Sequence, residues 1–169
     1  MSEVACRVIV LMGVTGCGKT TIGQLLSKKM EWSYHDADDF HPRANVDKMA
    51  SGVPLEDQDR WPWLDELSVC VGDWIRLETG AVLACSALKE VYRQRLISGR
   101  KEVSVVHLVG SRELIAERLE KRLDHYMPPS LLDSQFQTLE PPPDAVIADI
   151  TKTPEEIVRY ILNSLKLGS

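Results

Sequence analysis

Apolar residues recur along this chain as short runs of strand length, set apart by longer stretches in which they return every three or four positions. The runs extend from Arg7 to Met12, Ser33 to Asp36, Ala81 to Cys85, Val103 to Val109 and Ala145 to Ile150, the second being short and weak. Helical spacing predicts helices from Thr20 to Met30, Arg43 to Ser51, Trp61 to Glu78, Lys89 to Ser98, Ser111 to Leu123, Ser130 to Leu139 and Pro154 to Leu165. Thr153, Pro154 and Glu156 form a capping-box signature with proline at the first helical position, which fixes where the last helix begins. Strands alternating with helices argue for a parallel sheet covered on both faces, because parallel neighbours need the crossovers that helices supply. Such a sheet collects ligands at the carboxyl ends of its strands.

No internal repeat or flexible linker divides the 169 residues, so a single domain spanning residues 1–169 is expected. A 44% hydrophobic, 27% charged composition is that of an ordinary globular chain and excludes disorder as the dominant state. With a formal net charge of −5, no global basic field favours nucleic acid or an anionic membrane, and neither is expected as a partner. The apolar run from Val8 to Met12 is far short of the roughly 20 residues a bilayer span needs, and Met1 to Cys6 lacks a signal-peptide layout. A cytoplasmic location is expected. Cys6, Cys17, Cys70 and Cys85 form no C-x-x-C pair and read as reduced thiols, while His35, His41, His107 and His125 show no ligand spacing, so no protein-held transition metal is implied.

Candidate chemistry begins at Gly13-Val14-Thr15-Gly16-Cys17-Gly18-Lys19-Thr20, which matches the phosphate-binding loop G-x-x-x-x-G-K-[ST]. The match lies directly between a strand and a helix, where the mechanism needs it. Glycines let the backbone turn its N–H groups inward around an anion, and the helix N-terminus adds its positive dipole end. Lys19 is expected at the β and γ phosphates of ATP and the Thr20 hydroxyl at Mg²⁺; Thr21 completes the nucleotide-binding set. Cys17 reads as a passive small residue, with a lowered thiol pKa near the helix N-terminus as the alternative.

A nucleotide could serve a switch, a motor or a small-molecule kinase. The chain contains no N-K-x-D and no D-x-x-G, which removes the GTPase reading, and it is short for a motor. The second strand instead ends in Asp36-Ala37-Asp38-Asp39-Phe40-His41-Pro42, a carboxylate cluster at the site where an acceptor would meet the γ-phosphate. One carboxylate can take the proton of an attacking hydroxyl while another holds a metal-bound water or a second hydroxyl. Asp36 is the candidate base, whereas Pro42 biases His41 towards a turn role.

Taken together these motifs resemble the gluconate kinases, small P-loop kinases related to shikimate and nucleoside monophosphate kinases. The resemblance runs from Val8 to about Pro142 and rests on the loop, Asp36-Ala37-Asp38 with His41-Pro42 and Asn45, Lys48-Met49, Gly52, Pro54-Leu55, Asp57 to Arg60 and Pro62-Trp63-Leu64. Further markers are Cys85 to Lys89 with Tyr92-Arg93, Arg118-Leu119 with Arg122, His125 and Met127, Gln135-Phe136 and Thr138-Leu139-Glu140. It implies a three-layer α/β P-loop NTPase fold, with a central parallel five-stranded sheet flanked by helices and a helical lid at about 118–129. The implied activity is ATP-dependent phosphorylation of D-gluconate at its 6-hydroxyl, giving 6-phospho-D-gluconate and ADP and feeding the pentose phosphate pathway, by a homodimer. Lys48, Arg60, Lys89 and Arg93 lie in the segments that would bind the sugar acid, Arg60 and Arg93 being suited to paired hydrogen bonds. In the lid segment Arg122 reads as a phosphate clamp and Arg118 as a nucleotide contact, four residues apart on one helix face. Cys17 stands where serine is common, and Leu123-Asp124-His125-Tyr126 departs from the usual glycine-histidine-phenylalanine run. Tyr126, Trp61, Trp63 and Trp74 read as packing residues. Seven of the 20 cations would thus converge on one basic crevice in an acidic chain. A kinase for shikimate or a nucleoside monophosphate, and a regulatory nucleotide-binding protein, are the competing readings.

Overall fold

Strand β1 (Val8–Met12) is buried along its whole length, and the reason is its central place in the sheet. The computed structural model describes residues 3–122 and 129–168. Five strands, β1, β2 (Ser33–Asp36), β3 (Ala81–Ala84), β4 (Val103–Val109) and β5 (Val146–Asp149), lie in the order β2-β3-β1-β4-β5. All four pairings are parallel, with Val10 opposite Leu83 on one side and Val105 on the other. A strand enclosed this way has no polar face, which is why its sequence is a continuous apolar run.

Alternate residues of β1 feed two separate cores. Ile9 and Leu11 pack with Ile22 and Leu26 of α1 (Lys19–Met30), Ile115 and Leu119 of α5 (Arg112–Glu120), Leu132 of α6 (Pro129–Thr138) and Ile157 and Ile161 of α7 (Pro154–Ser164). Val8, Val10 and Met12 pack on the opposite face with Leu64, Leu67 and Val71 of α3 (Asp57–Leu77) and Leu96 of α4 (Glu90–Ile97). Each fully buried aliphatic side chain contributes about 1.5–3 kcal/mol, so the three layers are fixed mainly by these two faces. The expected three-layer architecture is the one observed.

Three local differences from the sequence reading have physical causes. Ala37–Phe40 forms a 3-10 turn ahead of α2 (Arg43–Ala50), with the Asp36 carboxylate accepting from the Asp38 N–H as its cap. Helix α3 begins at Asp57, four residues before the expected Trp61, because Glu56 and Asp59 form a reciprocal capping box and Pro62 is accommodated inside the helix. Helix α5 stops at Glu120, so Arg122 lies beyond its C-cap Lys121 instead of on a helix face shared with Arg118. The capping box at Thr153 and Glu156 is present as expected. Residues 123–128 of the expected lid, including His125, Tyr126 and Met127, lie outside the described residues.

Candidate active site

At the carboxyl ends of β1, β2 and β3 the chain encloses a cavity of about 350 Å³, lined by Thr15, Gly16, Gly18, Lys19, Thr20, Asp36, Asp38, Ala84, Ser86, Arg122 and Gln135. The phosphate loop and the acidic strand end, predicted separately, therefore share one space. Gly13 and Gly16 are required there for steric as well as conformational reasons. At Gly13 (φ +151°) a Cβ would lie 2.6 Å from Cys17 Sγ, and at Gly16 (φ +87°) it would lie 2.9 Å from Leu119. Gly18 starts α1 with φ 103° and no side-chain cap, leaving the first-turn N–H groups to external acceptors. A backbone cradle of this kind fits phosphate oxygens.

Lys19 Nζ donates to the carbonyls of Gly13 at 2.9 Å and Val14 at 3.1 Å, which holds the ammonium over the loop. Thr20 is exposed at the cavity wall. With Asp36 and Asp38 it supplies hard oxygen donors suited to Mg²⁺, which binds few protein oxygens and completes its shell with water and phosphate. Crowding in the crevice, followed by the Asp36 carboxylate, pushes the Asp38 carboxyl above its usual range. The Asp38 side chain is nonetheless 85% exposed, so water screens this effect. Burial, opposed by Lys19, raises the thiol pKa of Cys17; this fits the passive role and not the activated one. Thr21 is exposed on the first turn of α1, beside Thr20.

Three of the four expected acceptor cations form a second cluster, at the start of α3. Lys48 pairs with Asp59 at 2.6 Å; Arg60 and Lys89 flank Asp57 at 3.6 Å and 3.4 Å. The Tyr92 hydroxyl donates to Asp57, and this bond together with the two cations holds the Asp57 carboxyl below its ordinary value. The cluster adjoins the cavity through His41, which contacts Asp38 at 3.9 Å and feels the charge of Arg60. It is therefore less basic than expected, because Asp57 and Asp59 sit among the cations.

Arg93 departs from expectation. Its guanidinium is buried and donates to the carbonyls of Ala87, Leu88 and Glu140 and to the Glu90 carboxylate. It braces the segment after β3 and has no place in either charged cluster. Arg118 donates to the Ile150 carbonyl at 2.7 Å, beside the end of β5, and Arg122 reaches the cavity.

Packing roles dominate the aromatic residues. His41 stacks on Trp63 at 4.1 Å while Trp63 donates to the Ala37 carbonyl, His35 stacks on Trp74, and Trp61 meets Tyr92 edge-on. All four cysteines are free. Gln135 is a cavity residue that residue-level reasoning missed: it stood out only within a family marker, because an isolated glutamine on a predicted helix carries no spacing signal. Ser86 was missed as a cavity residue as well, because a lone serine after a strand carries no spacing signal.

Residues 15–166 match the shikimate kinase family model. Over 172 residues the chain is 45% identical to a probable gluconokinase of Xenopus tropicalis, covering 91% of this chain and 90% of that protein. It is 36% identical to the thermoresistant gluconokinase of Escherichia coli, over 96% of this chain and 95% of that one. A gluconokinase structure from Sinorhizobium meliloti superposes with a TM-score of 0.82 at 37% identity, covering 98% of this chain and 94% of that one. With its loop, parallel sheet and near full-length similarity, the chain belongs to the gluconokinase family of small P-loop kinases.

Proposed function

We propose that this protein transfers the γ-phosphoryl group of ATP to the 6-hydroxyl of D-gluconate, giving 6-phospho-D-gluconate and ADP. The observation that carries the reading is the single cavity in which Lys19, Thr20, Asp36, Asp38 and Arg122 meet. The loop N–H groups and Lys19 bind the triphosphate, and Arg118 contributes a nucleotide contact at the end of β5. Thr20 would hold Mg²⁺, which when bound would neutralise charge on the transferring oxygens. Asp36, held by the Asp38 N–H at 2.9 Å, orients the acceptor hydroxyl and takes its proton. Arg122 offsets the charge that develops on the phosphoryl group in flight. Lys48, Arg60 and Lys89 anchor the sugar acid, in exchange for part of their pairing with Asp57 and Asp59. This step would supply phosphorylated sugar acid to the pentose phosphate pathway, in the cytoplasm and as a homodimer.

An acceptor panel tests the assignment: ADP release from ATP with D-gluconate, shikimate, AMP or CMP. Turnover is expected with gluconate and near background with the rest. Activity on another acceptor with none on gluconate would overturn the substrate.

A further inference from the structure

We propose that Gln135 occupies the phosphate loop of the nucleotide-free protein, its carboxamide serving as an exchangeable stand-in for a phosphate oxygen. The Thr15 N–H donates to Gln135 Oε1 at 2.7 Å, and Gln135 Nε2 donates to Thr15 Oγ1 at 3.0 Å. One side chain thus meets both the backbone N–H and the hydroxyl of a residue in the middle of the phosphate loop, from 120 positions away in sequence. Both residues line the cavity that receives the triphosphate, so the inference rests on the nucleotide-binding reading of that cavity.

The chemistry of the substitute matters. A loop N–H needs an acceptor, and a carboxylate in that place would repel an incoming polyphosphate. A neutral amide fills the need and yields to an anion, because a hydrogen bond to a charged oxygen is about twice as strong as one to a neutral oxygen. Exchange would also free the Gln135 side chain from the loop, since among the described residues these two bonds are the hydrogen bonds between α6 and the loop, while Leu132 keeps the helix on the core. Asp133, in the same helix, pairs with Arg112 of α5, the helix that carries Arg118 and leads into Arg122.

Titration of the wild type, Gln135→Ala and Gln135→Glu with the magnesium complex of adenylyl imidodiphosphate, without acceptor, tests the exchange. Gln135→Ala removes a neutral competitor and should bind about 2- to 10-fold more tightly. Gln135→Glu places a negative charge in the cradle and should bind roughly tenfold or more weakly. In the ¹⁵N-labelled wild type, the side-chain NH₂ resonances of Gln135 should shift as the analogue saturates, a readout that needs no variant to fold. Unchanged or weaker binding by a folded Gln135→Ala, or unmoved Gln135 resonances at saturation, overturns the proposal while leaving the kinase reading intact. A wild type that does not bind the analogue refutes both.

Discussion

Replacing Gly16 by alanine should damage the protein in two separable ways. The first is conformational: at φ +87° an L side chain is strained, at a cost of about 1–2 kcal/mol. The second is steric, because the new methyl would lie 2.9 Å from Leu119 Cδ2 and Cγ and 3.3 Å from Ile115 Cγ2, on the buried side of α5. Overpacking of this kind costs about 1–3 kcal/mol. The expected loss is therefore about 2–5 kcal/mol, a large share of the roughly 5–15 kcal/mol that holds a domain of this kind folded. Gly18→Ala is the internal control, since its φ of +103° carries strain but nothing lies within 4 Å of its added Cβ. Urea unfolding followed by circular dichroism should rank Gly16→Ala below Gly18→Ala by about 1–3 kcal/mol. Adding Leu119→Ala should recover much of that difference as a favourable coupling. Equal losses in the two glycine variants, or no coupling to Leu119, would refute the view that the phosphate loop and α5 pack as one unit.

Lys19→Ala should weaken nucleotide binding about tenfold or more and depress turnover with it, as read by titration and steady-state kinetics. Asp36→Asn should keep nucleotide affinity and lower kcat about 100- to 10,000-fold; near wild-type turnover would remove Asp36 as the base. Arg93→Ala should cost about 1–3 kcal/mol in urea unfolding, because the buried carbonyls of Ala87 and Leu88 and the part-buried carbonyl of Glu140 lose their donor. Burial lowers the pKa of His41 and His107 below the ordinary 6.5, so the unfolded chain takes up their protons first as pH falls. Their contribution to stability is complete above pH 6.5 and is lost as pH falls towards the folded values; the urea midpoint should drop from about pH 7.5 to about 5.5, less so in His107→Gln. Native Cys85, its thiol pushed up to about 12 by burial, should resist iodoacetamide at pH 8 until the chain unfolds, as followed by mass spectrometry.

Features set by local chemistry were legible in the chain. The loop from Gly13 to Thr20, the apolar strands and the capping box at Thr153 each need particular residue types at fixed short spacings, and each was found where its pattern put it. Asp36 could be singled out because its position at a strand end follows from the same reasoning. What escaped depends on distant partners. Arg93 looks like a ligand-binding cation in sequence, yet carbonyls from two other segments surround it. Gln135 reaches Thr15 only because α6 returns to the loop. Asp57 and Asp59 neutralise part of the expected basic crevice because a capping box starts α3 there, four residues before the Trp61 start that apolar spacing gives.

Phosphoryl transfer itself is most directly tested by ³¹P NMR of the wild-type protein with ATP, Mg²⁺ and D-gluconate. A single phosphate monoester at C6 of the sugar acid should accumulate in step with ADP. Accumulation of ADP and inorganic phosphate without a sugar-acid ester would contradict the account.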